Sequence, residues 1–173
     1  MSRAVPVETP VVHPLAVGAS TGSTRLKILL VEDDEADAYL IRRASESNEN
    51  VAEVVLAQDG VEAIELVERG VLKPDLAFVD LHMPRKDGFA LLRDLAVDDS
   101  SPFPVVVLTS SRSGADVLRS MKRGAALFVT KPRTQEEIAA ALDRAIDIIY
   151  PIVTNVSRAK TSSRWFRSKM SRN

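Results

Sequence analysis

Pro74-Asp75-Leu76-Ala77-Phe78-Val79-Asp80-Leu81-His82-Met83-Pro84-Arg85-Lys86-Asp87-Gly88 decides the fold. Four apolar residues, Leu76 to Val79, stop abruptly at an acid. A short apolar run bounded by polar and turn residues reads as a buried strand. Pro84 and Lys86-Asp87-Gly88 read as the loop after it. In an open parallel sheet, ligands bind outside the carboxyl ends of the strands. Asp80 is therefore placed where such folds do their chemistry, the plain alternative being an acid that caps the next helix.

Similar runs flank this stretch. Leu26 to Val31 ends in Glu32-Asp33-Asp34, and Val51 to Ala57 precedes Asp59-Gly60. Val105 to Leu108 ends in Thr109-Ser110-Ser111, and Ala126 to Thr130 ends in Lys131-Pro132. Helical patterns separate them. One opens at Glu35 behind an Asp34 cap, with Ala36, Tyr39, Leu40 and Arg43 spaced for one face. Another runs to Gly70, which stands as a C′ glycine. A third opens at Gly88, and a fourth runs from about Ser113 to Arg123. The fifth starts at the capping box Thr134-Gln135-Glu136-Glu137 and is expected to stop at Tyr150, because Pro151 follows. Continuous rather than alternating apolar runs indicate strands buried on both faces. The expected fold is an α/β, doubly wound, five-stranded parallel sheet of the flavodoxin-like kind over residues 25–150.

The chain has 173 residues, 45% of them apolar, enough for one core with appendages. It has no cysteine, which excludes disulfides, thiolate metal sites and a cysteine nucleophile. No apolar run approaches membrane-spanning length, and the N-terminus lacks a signal-peptide layout, so a soluble, cytoplasmic protein is expected. The net charge of −1 hides an asymmetry: residues 26–150 carry −8, residues 1–25 carry +1 and residues 151–173 carry +6. Residues 1–24, rich in Pro and Gly, read as a disordered arm, and His13 within it has no visible ligand partner. Residues 151–173 read as a basic extension too short for a DNA-binding output domain. Its Arg164-Trp165-Phe166-Arg167 leaves nucleic-acid contact, weak membrane-surface contact, folding back onto the acidic body and a solvated end all open.

The strand ends together deliver Glu32, Asp33, Asp80, Thr109 and Lys131. Two carboxylates about 4 Å apart repel by about 4 kcal/mol at an effective dielectric of about 20. A hard divalent cation relieves this, and Mg²⁺ suits one or two carboxylates plus waters and phosphate oxygens. Lys131 supplies a point charge for phosphate, and Thr109 a hydrogen-bond donor. Such a site suits phosphoryl transfer onto a carboxylate.

Val31-Glu32-Asp33-Asp34, Asp80-Leu81-His82-Met83-Pro84 with Gly88, Thr109-Ser110 and Lys131-Pro132 resemble the receiver domain of two-component response regulators. The resemblance covers about residues 26–150. It implies Asp80 as phosphoacceptor from a histidine kinase. It implies Glu32, Asp33, Asp80 and the His82 backbone carbonyl as Mg²⁺ ligands, and Lys131 as the phosphoryl contact. Thr109 and Phe128 become the switch pair, Phe128 being plain core in the alternative, and the Lys131-Pro132 bond is expected to be cis. The phrases around Glu32 and Asp80 further resemble single-domain regulators partnered with phytochrome kinases. The His82 side chain is left at the mouth of the site, where it tunes phosphoryl lifetime; the other reading is a phosphohistidine or metal ligand. Asp34 is expected to cap and Asp87 to turn the chain.

The expected function is thus a phosphorylation-switched signalling module, not an enzyme in the ordinary sense. The alternative is a Mg²⁺-dependent phosphatase or hydrolase on the same fold. The haloacid-dehalogenase-like pattern, however, needs an Asp where His82 stands. A homodimer is expected through the last helix, using Ile148, Ile152 and Val153, because apolar residues there exceed one buried face.

Overall fold

The computed structural model describes residues 25–96 and 102–156. The N-terminal arm and the basic residues from Arg158 onward lie outside them. The order is β1 (Leu26–Val31), α1 (Glu35–Glu46), β2 (Val51–Ala57), α2 (Gly60–Glu68), β3 (Leu76–Val79) and α3 (Gly88–Leu95). It continues through β4 (Val105–Thr109), α4 (Gly114–Lys122), β5 (Leu127–Thr130) and α5 (Gln135–Val156). All strand pairs are parallel, in the order β2-β1-β3-β4-β5. This is the doubly wound sheet the sequence predicts.

Alternate residues of each central strand feed opposite cores. Leu29 and Val31 pack with Ala63, Val67, Leu91 and Leu92 of α2 and α3. Leu26, Ile28 and Leu30 pack with Ile41 of α1 and Leu142, Ile146 and Ile149 of α5. Strands that are apolar on both faces can be buried only this way. The strand order reverses at β1, so the crevice between the ends of β1 and β3 is the topological switch point.

Caps set the helix starts. Asp34 accepts from Asp37 N, Asp59 from Val61 N and Glu62 N, and Asp87 from Ala90 N. Asp87 is thus a cap as well as a turn residue. Thr134 Oγ1 accepts from Glu137 N, one half of the expected capping box. Gly70 takes φ +66 just past α2, the left-handed conformation expected of it.

Three expectations are corrected. The face of α1 turned to the sheet is Ala38, Ile41 and Ser45, with Leu40 half-buried. Ala36 and Tyr39 are exposed, and the Tyr39 hydroxyl accepts from Arg43 Nη1. The larger apolar side chain of Ile41 takes the core position, and the phenol keeps a polar partner. Second, α5 does not stop at Tyr150 but passes through Pro151 to Val156. An internal proline costs about 3 kcal/mol. Burial of Val153 against the α1–α5 core recovers roughly 1.5–3 kcal/mol, and Thr154 Oγ1 donates to Tyr150 O. Third, the Lys131–Pro132 peptide is trans, since no cis bond occurs among the described residues. Trans is the form X–Pro bonds favour by about 0.5–1 kcal/mol.

Candidate functional site

The register assembles the site. Val31 pairs with Val79, so Glu32 and Asp80 follow side by side on β1 and β3. Thr109 pairs with Thr130, which sets Lys131 one residue beyond, and Lys131 N donates to Thr109 O at 2.7 Å. All five predicted strand-end residues therefore lie along one edge of the sheet.

Asp80 is buried and held from two sides. Its Oδ1 accepts from Leu81 N at 2.6 Å and from His82 N at 3.4 Å. Its Oδ2 lies 3.1 Å from Lys131 Nζ. The same ammonium is 2.7 Å from Glu32 Oε2 and 2.8 Å from Asp37 Oδ2. Ligand oxygens of Glu32, Asp33 and Asp80 come within 4.8 Å of one another. Glu32 and Asp80 are buried, whereas Asp33 is exposed.

One ammonium facing three carboxylates, with a fourth beside them, leaves an excess of negative charge. Burial is the largest effect on Glu32 and pushes its carboxyl from 4.5 up to about 7, although the Lys131 ammonium pulls the other way. Burial alone would lower Lys131. The hydrogen bonds to Asp37 and Glu32 and the charges of Glu32 and Asp80 outweigh it and hold the ammonium well above its ordinary range. The donor set is hard oxygen, compact and over-charged, which fits Mg²⁺.

Thr109 is fully buried, and its Oγ1 accepts from Ser111 N at 3.4 Å, which leaves its hydroxyl hydrogen to donate. Phe128 is half-buried against the α2–α3 core. His82 is exposed, so its side chain stands at the mouth rather than in the cluster. Its carbonyl accepts no hydrogen bond among the described residues.

Asp37 was not among the predicted site residues. The signal was available: it stands three residues after the Asp34 cap, in the first turn of a helix beginning above the strand ends. Helical side chains lean toward the N-terminus, which carries this carboxylate over Lys131.

The last helix divides the predicted contact residues. Ile148 and Ile152 are 54% and 52% exposed. Val153 is 8% exposed and packs in the α1–α5 core, so it is corrected from contact residue to core residue. It lies on the same side of α5 as Leu142 and Ile149, away from the exposed stripe.

Residues 28–143 match the sequence profile of the response regulator receiver domain. Response regulator MprA of Mycobacterium sp. (strain KMS) is 35% identical over 68% of this chain and 49% of its own. This chain thus spans about half the length of that relative. Response regulator Rcp1 of Synechocystis sp. is 31% identical over 64% of this chain and 80% of its own. The crystal structure of the phosphorylated cyanobacterial phytochrome response regulator RcpA superposes with a TM-score of 0.67 at 30% identity. It covers 73% of this chain and 94% of that one. The Mn²⁺-bound form of Rcp1 gives 0.64 at 27% identity, over 70% and 92%. Among the described residues no helix is long and apolar enough to cross a membrane.

Proposed function

Because this chain belongs to the response regulator receiver family, we propose that it accepts a phosphoryl group from a histidine kinase onto Asp80 and signals through the resulting change of shape. The observation that carries this is the setting of Asp80 at the switch point. Its carboxylate is buried, oriented by two backbone amides and 3.1 Å from the Lys131 ammonium.

The step is a displacement at phosphorus. An Asp80 oxygen attacks, the bond from phosphorus to the donor's imidazole nitrogen breaks, and the electron pair leaves with the imidazole. Lys131 is already committed to Asp80 and Glu32, so it needs little reorganisation to neutralise the transferring oxygens. Glu32, Asp33 and Asp80, with the His82 carbonyl, would hold Mg²⁺. When bound, the ion would supply charge neutralisation to the transferring phosphoryl group. The Thr109 hydroxyl then donates to a phosphoryl oxygen, and Phe128 follows it inward, biasing an equilibrium that exists before phosphorylation.

The likeness to RcpA and Rcp1 supports a phytochrome-type kinase upstream. The exposed pair Ile148 and Ile152 supports a two-fold contact between two copies of α5, with a protein–protein contact as output. The test is incubation with Mg²⁺ and phosphoramidate. The mass of the wild type should rise by one phosphoryl group, and that of Asp80→Asn should not. Equal labelling of the two would refute the assignment.

A further inference from the structure

The loop from His82 to Asp87 carries the proposed carbonyl ligand, and it contains one backbone oddity. Arg85 has φ +60, the one non-glycine residue with positive φ among those described. Left-handed backbone is uncommon for such a side chain and persists only where the surroundings enforce it.

The enforcing contact is with α2. The Arg85 guanidinium Nη2 pairs with Oδ2 of Asp59, whose side chain is 1% exposed. Asp59 Oδ1 is already occupied by Val61 N and Glu62 N at 2.7 and 3.0 Å. Oδ2 is buried and has no hydrogen-bond donor other than this guanidinium among the described residues, so Arg85 is its counter-charge. The next residue tightens the junction: Gly60 N donates to Lys86 O at 3.2 Å. A Cβ on Gly60 would stand 2.8 Å from Lys86 Cγ and 2.9 Å from Lys86 O. The first turn of α2 thus lies directly on the loop.

The other attachments lead to the phosphoacceptor. Gly88 N donates to Leu81 O at 3.0 Å, while Leu81 N and His82 N both donate to Asp80 Oδ1. The loop is therefore tied to Asp80 at its start, closed on Leu81 by Gly88 at its end, and held to Asp59 near its apex. We propose that the Asp59–Arg85 ion pair is a latch that fixes this loop in the conformation from which the His82 carbonyl serves as a metal ligand. The proposal rests on the receiver reading of Glu32, Asp33 and Asp80. Neither latch residue touches the metal; both are positioning residues. Without the ion pair a left-handed arginine relaxes toward negative φ, which turns the peptide units on either side of it. Outer groups that orient metal ligands typically carry 10–100-fold in affinity.

The test is Mg²⁺ titration of the full chain followed by amide NMR at Glu32, Asp80 and His82, with melting temperature measured separately in chelator. Arg85→Gly keeps the left-handed backbone accessible and removes the guanidinium. Asp59→Asn removes the charge from the other end. Both should bind Mg²⁺ roughly tenfold more weakly, and Arg85→Lys should recover most of the loss. Wild-type affinity in Arg85→Gly overturns the latch, whatever its melting temperature. A wild type that shows no Mg²⁺-dependent shift at Glu32 or Asp80 overturns the receiver reading underneath, and the latch with it.

Discussion

Glu32→Gln tests the electrostatics of the site through folding stability. Glu32 is buried at the end of β1, and its carboxyl is raised from 4.5 to about 7, first by burial and against the pull of Lys131. The unfolded chain releases this proton near the ordinary glutamate value, and the folded chain only near neutrality. Between the two the folded state binds more protons, so stability falls as pH rises through that window. Each tenfold difference in proton affinity is worth about 1.4 kcal/mol, so the full loss is about 3 kcal/mol, complete above about pH 7. Domains of this size have only about 5–15 kcal/mol in total. Other perturbed groups act elsewhere. Asp94, whose burial is outweighed by Lys86 and Arg93, is lowered from 3.8 and acts in acid; Lys131 acts far above neutrality. Glutamine is neutral in both states and removes the slope. Urea unfolding in chelator, repeated from about pH 4.5 to about pH 8, reads this directly. The variant should match wild type at the acid end and exceed it by up to about 3 kcal/mol at the alkaline end. Adding Mg²⁺ should restore the wild type alone. An identical pH slope in the two proteins would mean that Glu32 does not hold its proton in the folded chain.

Other perturbations follow from the same geometry. A Cβ on Gly88 would lie 2.3 Å from the Asp80 carbonyl oxygen, so Gly88→Ala should cost about 1–3 kcal/mol in urea unfolding and weaken Mg²⁺-dependent labelling. Thr109→Val should still take up a phosphoryl group, but beryllofluoride should no longer shift the amide of Phe128; an unchanged shift would remove Thr109 from the switch. Ile148→Asp with Ile152→Asp should reduce the mass seen by light scattering to that of one chain without loss of fold. Val153→Ala, by contrast, should leave that mass alone and lower stability by about 2 kcal/mol, because its side chain is in the core. A double aspartate variant that stays dimeric would move the interface elsewhere.

Strand ends are the legible part of this sequence. Val31 to Glu32, Val79 to Asp80 and Thr130 to Lys131 are abrupt changes of polarity, and a parallel sheet puts all such changes on one edge. Side-chain partners across the sheet are less legible. Asp37 and Lys131 are far apart in sequence, and nothing local announces their ion pair. The Asp59–Arg85 contact is hidden for the same reason, since a left-handed arginine has no compositional signal. The face of α1 is ambiguous in sequence because its apolar residues fit two stripes, and only the packing of Ile41 chooses between them. Pro151 carries a true local signal, the weak one, which burial of Val153 overrides. In α5 the stripe of Ile138, Leu142, Ala145 and Ile149 is legible because all four bury together.

Asp80, and no other side chain at this edge, is expected to receive the phosphoryl group. Borohydride reduces an aspartyl phosphate to homoserine, so the modified position can be read after proteolysis by tandem mass spectrometry. The full chain is incubated with Mg²⁺ and acetyl phosphate, or with a phosphorylated histidine kinase, then reduced and digested. Homoserine is expected at position 80 alone, and is absent when chelator replaces Mg²⁺. Reduction products at Asp33 or Asp37 with an intact Asp80, or a stable phosphoryl group on His82, would contradict that assignment.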